Sequence, residues 1–187
     1  MKPLHLLPVG DVDHELLQFL RVGLEESLRI PCEILPAPLD PAGAFHPERQ
    51  QYHSSEILRR MQSIVGDQCW KLLGVSDVDL YIPILTFVFG EAQMPGPCAV
   101  VSAWRLRQEF YSLPSDQGLL QQRLLKESIH EIGHTCGLTH CDNYQCAMAS
   151  SHAVEWIDLK ESSFCPECTG RFAELVTTSS PVTPKRQ

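Results

Sequence analysis

The sequence predicts an α/β fold with a mostly parallel or mixed sheet covered by helices. Short apolar runs alternate with helical periodicities along its first half, as strands and covering helices do. At 187 residues and 43% hydrophobic composition the chain has the size of one domain. A chain of that length buries roughly 70% of its unfolded surface and needs no disulfides to hold a core. Past Gly137 the sequence turns polar and rich in Cys and His, a stretch that cannot build a large core by itself.

Leu4–Val9 is a short apolar run, expected as a buried strand. Between Asp13 and Arg29, Leu16, Leu17, Leu20, Leu24 and Leu28 fall at helical spacing. Cys32–Pro36 is the next expected strand, followed by a Pro-, Gly- and Ala-rich loop over Pro38–Pro47. Ser54 or Ser55 is placed to cap a helix running to about Val65, with Ile57, Leu58 and Met61 on its apolar face. Val78–Ile84 and Thr86–Phe89 read as strands, and Met94-Pro95-Gly96-Pro97 as a turn. Cys98–Trp104 reads as a strand, either an ordinary one or one at a sheet edge able to pair with an extended peptide. Leu119–Cys136 is the longest helical pattern. Residues 1–176 thus form one domain, an N-terminal part (1–137) and a C-terminal part (138–176). The Thr/Ser/Pro-rich 177–187 is expected to be a disordered tail.

A net charge of -8 without a basic stripe excludes a nucleic-acid partner and docking on an anionic membrane. The longest mostly apolar run, Leu80–Phe89, is half of the ~20 residues a spanning helix needs. The N-terminus lacks the apolar core of a secretory signal, so neither a secretory leader nor a long prodomain is expected. The expectation is a cytoplasmic monomer with reduced thiols. Its eight cysteines are then metal ligands or buried hydrophobes, and Cys32, Cys69, Cys98 and Cys136 are assigned to the buried class.

The chemistry concentrates between His130 and His140. His130 and His134, one helical turn apart, stack on one face and can share a Zn²⁺ at about 2.0–2.1 Å. Glu131 is rotated about 100° from His130 and can reach a water on that metal without ligating it. Gly137 can adopt the positive φ that ends a helix, and the returning chain offers His140 as third ligand. Three neutral imidazoles leave a position open, as in catalytic zinc sites. A bare HExxH arises by chance in roughly 1 of 40 such chains; requiring Gly137 and His140 as well brings that below about 1 in 10,000. Leu125, Ile129, Ile132 and Cys136 mark the opposite, core-facing side of this helix. Met148, fourteen residues past His134, fits the Met-containing turn beneath such sites.

Cys141, Cys146 and the Cys165-Pro166-Glu167-Cys168 pair form a second ligand set. Four thiolates at these spacings suit a closed, structural Zn²⁺. A redox CxxC is the weaker reading, because no βαβ context surrounds it. His140 and Cys141 are adjacent yet assigned to different metals, as an extended backbone with alternating side chains allows. One short strand could then serve both sites, the thiolate zinc clamping His140 onto the catalytic one.

His130, Glu131, His134, Gly137, Cys141, Cys146, Met148, Cys165 and Cys168 together resemble the archaemetzincin family of zinc metalloproteases. The spacing departs only in placing sixteen residues, not seventeen, between Met148 and Cys165. Looser similarity extends to Phe87–Glu91 and Ala99–Leu106. The resemblance implies a compact metzincin-like fold, α/β (α+β), with a twisted mixed sheet, a backing helix, an active-site helix and a small zinc-stapled C-terminal subdomain. It implies a catalytic zinc on His130, His134 and His140, Glu131 as general base, and a second zinc on the four cysteines.

The expected reaction is hydrolysis of peptide bonds in a peptide or protein substrate. The alternative is a non-catalytic two-zinc module that only captures peptides. An aminopeptidase would need a carboxylate for the substrate amine. Glu91 is the candidate, against the plainer reading of a solvated loop residue. The remaining histidines, His5, His14, His46, His53 and His152, read as surface or core residues.

Overall fold

In the computed structural model, residues 2–178 are described. β1 (Leu4–Val9) leads into α1 (His14–Leu28), whose N-cap Asp13 accepts from the Glu15 backbone N–H at 2.9 Å. β2 (Cys32–Ile34), β3 (Phe45–His46), β4 (Gln51–His53) and α2 (Ser54–Met61) follow. After these come β5 (Lys71–Ser76), β6 (Leu80–Tyr81), β7 (Gly90–Ala92) and β8 (Cys98–Ser102). The long α3 (Gln117–Thr135), the short α4 (Val154–Leu159) and α5 (Pro166–Thr178) close the order.

The main sheet runs β2-β1-β5-β8-β7, with four parallel strands and β7 antiparallel to β8. Its pleat sorts the core into two layers. Leu4, Leu6, Leu73, Val75, Ala99 and Val101 pack with α1 and α3. Leu7, Val9, Leu72, Cys98 and Val100 pack with α2 on the other face. A small second sheet, β3-β4-β6, joins that face through Tyr52 and Leu80. Among the described residues no helix is long and apolar enough to cross a membrane.

The α/β class with a mixed sheet is what the strand–helix alternation predicts, and α1 and α3 lie where the leucine spacing puts them. Four details are corrected. The strand expected over Cys98–Trp104, with an edge place as one of its two readings, ends at Ser102 and lies inside the sheet between β5 and β7, so β7 is the edge. The strands expected over 78–89 shrink to Leu80–Tyr81, because Pro83 breaks the run and the following residues turn. β5 escapes the sequence pattern because both of its faces are covered, and such strands do not alternate. α2 ends at Met61, short of Val65. Of the tail expected over 177–187, Thr177 and Thr178 belong to α5 and the remainder falls outside the described residues.

Leu20 is fully buried where α1 meets the sheet. Leu20→Ala is expected to cost about 3 kcal/mol of stability, since buried Leu→Ala changes cost roughly 2–5 kcal/mol. Urea unfolding measures it, and metal content should not change.

Candidate metal centre

α3 begins under a real cap: the Asp116 side chain accepts from the Leu119 N–H at 2.9 Å. It ends in a turn that Gly137 makes possible with φ at 100°. The Gly137 N–H bonds the His134 carbonyl at 2.9 Å and the Leu138 N–H the Gly133 carbonyl at 3.0 Å, the paired bonds of a glycine-terminated helix. The reversal brings the Leu138 carbonyl to His134 Nδ1 at 2.7 Å. The Ala147 carbonyl meets His130 Nδ1 at 2.8 Å. A carbonyl only accepts, so each Nδ1 carries the proton and each Nε2 keeps its lone pair. Those two Nε2 atoms lie 3.0 Å apart. Two facing lone pairs at that distance repel unless a cation lies between them.

His140 completes the group. Its ring centroid lies 5.3 Å from that of His130 and 5.0 Å from that of His134. One ligand nitrogen from each of the three lies within 4.8 Å of the others. Burial pushes the pKa of all three imidazoles down, that of His130 well below its ordinary value. Neutral imidazole is the form a metal needs. Among the described residues no carboxylate belongs to the group, which leaves room for a water or substrate beside three nitrogens.

Glu131 is buried against β7. A Cβ at Gly90 would come within 2.7 Å of the Glu131 Cγ and 2.8 Å of its Oε1, so only glycine fits opposite this carboxylate. Burial first, then the neighbouring Glu127 and Glu91, push its carboxyl well above the usual range. Met148 is fully buried beneath Gly133, where an added Cβ would collide with its sulfur. That close approach explains the glycine between Ile132 and His134.

Cys141, Cys146, Cys165 and Cys168 also bring their sulfurs within 4.8 Å of one another. The Cys146 sulfur lies 3.2 Å from the Cys165 backbone N and 3.5 Å from that of Met148. Cys165 precedes Pro166, the first residue of α5, and its thiol is held below its ordinary pKa, above all by a backbone hydrogen bond at Cys168. Cys136 is buried and its thiol pushed up by burial, as for a core residue. Cys32, Cys69 and Cys98 are buried too, with the Cys32 thiol pushed up to about 12.

The two groups meet at His140 and Cys141, which belong to one each. No strand forms there, contrary to the expectation. The Cys141 N–H bonds the Met148 carbonyl at 3.0 Å, tying this stretch to the Met148 turn. Leu138, Cys146, Met148 and Cys168 pack into one small core.

The histidines open onto a cleft of about 480 Å³ lined by Leu85, Phe87, Glu91, Glu127 and His152 among others. Glu91 is no solvated loop residue. It sits half-buried in β7 and accepts hydrogen bonds from Ser54 Oγ at 2.5 Å and Ser55 Oγ at 2.8 Å. His152, assigned from sequence to surface or core, is exposed at the cleft. Glu127, Lys160 and Gly90 were not singled out by the sequence. Of these only Glu127 carried a signal, one helical turn before Glu131.

Residues 24–174 match peptidase family M54. An archaemetzincin of Methanocaldococcus jannaschii is 44% identical over 167 residues, 89% of this chain and 90% of that protein. One from Pyrococcus furiosus is 34% identical over 175 residues, 90% of this chain and 91% of its own. The crystal structure of a zinc-dependent peptidase from Methanocorpusculum labreanum superposes with a TM-score of 0.83 at 31% identity, over 90% of this chain and 99% of that one. An archaemetzincin of Archaeoglobus fulgidus, crystallised with malonate, gives a TM-score of 0.78 at 34% identity over the same shares.

Because His140 and Cys141 are neighbours in different groups, Cys141→Ser is expected to lower metal content at both, read by metal analysis beside His140→Ala. Loss confined to one metal would show that the groups are independent.

Proposed function

This chain belongs to peptidase family M54, with the archaemetzincins, and from that membership we propose that it hydrolyses peptide bonds with Glu131 as general base. His130, His134 and His140 would hold one zinc, and Cys141, Cys146, Cys165 and Cys168 a second, structural one. The observation that carries the reading is the pair of Nε2 lone pairs aimed at one point, beside a buried carboxylate that is not among the ligands. A zinc held by these histidines would supply Lewis acidity, the chemistry that brings the pKa of a water from 15.7 to about 7.

The chain's own residues do the rest. Glu131 takes the proton of the attacking water and delivers it to the departing amine. The Ala147 and Leu138 carbonyls keep His130 and His134 in the tautomer that presents Nε2. β7, the sheet edge beside the cleft, is the strand along which an extended peptide would pair. The protein would act as a monomer, in the cytoplasm, on peptide or protein substrates.

Glu91 favours a second reading within the same chemistry. A carboxylate fixed by two serines on the cleft wall is placed to bind a substrate's free amine. Glu91→Gln is then expected to raise KM for peptides with a free N-terminus and leave N-acetylated peptides unaffected, as steady-state kinetics on matched pairs will show.

Glu131→Gln is expected to keep its zinc and lose at least about a hundredfold in kcat on a diverse peptide library. Retained turnover would remove Glu131 from the mechanism. A wild-type protein that binds both metals and cuts nothing would instead be a peptide-binding module.

A further inference from the structure

Lys160 is the most deeply buried charge among the described residues. Its ammonium is fully enclosed and bonds Glu127 Oε1 at 2.9 Å, with Glu127 itself 4% exposed. The two residues join elements that are distant in sequence. Lys160 ends α4, while Glu127 lies on α3, three residues before His130 and four before Glu131. Glu127 also lines the cleft beside the histidines.

The peptidase reaction as derived above uses neither residue. We propose that the Glu127–Lys160 pair sets how tightly the three histidines hold their metal, Lys160 opposing the cation and Glu127 cancelling that opposition. The inference rests on the reading that His130, His134 and His140 hold zinc. Charges interact strongly in a dry interior, where little solvent screens them. Glu127 stands one helical turn before His130 and Glu131 on α3 and lines the same cleft as all three histidines, with the Lys160 ammonium held against it from the end of α4. A dication arriving at the histidines meets the same ammonium. Glu127 is its partner and lies within the same wall, so the carboxylate makes that charge tolerable. Unlike a simple brace between α4 and α3, the two residues should then change metal affinity in opposite directions.

The test is zinc affinity of the full chain by chelator competition, for wild type, Glu127→Gln, Lys160→Met and the double variant, with His130→Ala as control. Glu127→Gln is expected to weaken zinc at the histidine site by about tenfold or more, the scale of outer-sphere changes. Lys160→Met is expected to tighten it, since the freed carboxylate gains from the cation. The double variant should return to within about threefold of wild type, because the negative charge lost at Glu127 offsets the positive charge lost at Lys160. Weakening by both single variants, or no change in either, would overturn the proposal and leave a structural brace. Should Lys160→Met fail to fold, Lys160→Gln keeps the hydrogen bond and loses the charge. Tighter zinc in it supports the proposal, and unchanged or weaker zinc overturns it. If His130→Ala binds as much zinc as wild type, the three-histidine reading fails rather than the pair.

Discussion

Two backbone carbonyls decide the chemistry of this molecule. Ala147 and Leu138 accept from the Nδ1 atoms of His130 and His134 and so turn both Nε2 lone pairs toward one point. Each carbonyl is itself fixed by the chain that follows α3. Leu138 is where it is because Gly137 reverses the chain, and Ala147 because its own N–H is held by the Ser163 carbonyl at 3.0 Å. The chain from Leu138 to Ser163 is therefore the mould in which the histidines are set. Cys146 and Cys168 pack with Leu138 and Met148 in one small core behind it.

α3 works because its sides do different things. Leu120, Leu124, Leu125, Ile129 and Ile132 join the layer beneath the sheet. Its other side carries Glu127, His130, Glu131 and His134 to the cleft. Burying so many polar groups on one helix is costly unless each finds a partner. Arg123 bonds Asp158 at 2.6 and 2.7 Å and the Leu106 carbonyl at 2.9 Å, and Glu127 bonds Lys160. Both pairs anchor α4, which places the segment after Met148 against α3. Replacing buried pairs by apolar residues often leaves stability unchanged or improved, so their value here lies in placement and charge.

The cleft wall opposite the histidines is set by arginines. Arg49 donates to the carbonyls of Leu85 and Thr86 at 2.9 and 3.0 Å. Arg105 lies 4.3 Å from the Phe87 ring and 4.6 Å from that of Phe110 while it bonds Asp79. The irregular residues before β7 thus have a defined shape without being a strand. Gly90 then lets the edge strand approach Glu131 closely.

What the sequence by itself determined was local. Helical spacing puts His130, Glu131 and His134 on α3, Gly137 ends that helix, and the cysteine spacings announce a four-thiol group, because these features depend on residues a few positions apart. The alternation of strands and helices similarly forecast an α/β fold with a mixed sheet. Tertiary structure decided what depends on residues far apart in the chain. It made β7 rather than β8 the edge, since strand order follows from how α1, α2 and α3 cover the two faces. It hid β5, whose two buried faces leave no alternation to read. It turned Glu91 from a loop residue into a carboxylate held by Ser54 and Ser55. It also paired Glu127 with Lys160, 33 positions away. A lysine ending a short helix looks like any solvated lysine until packing encloses it.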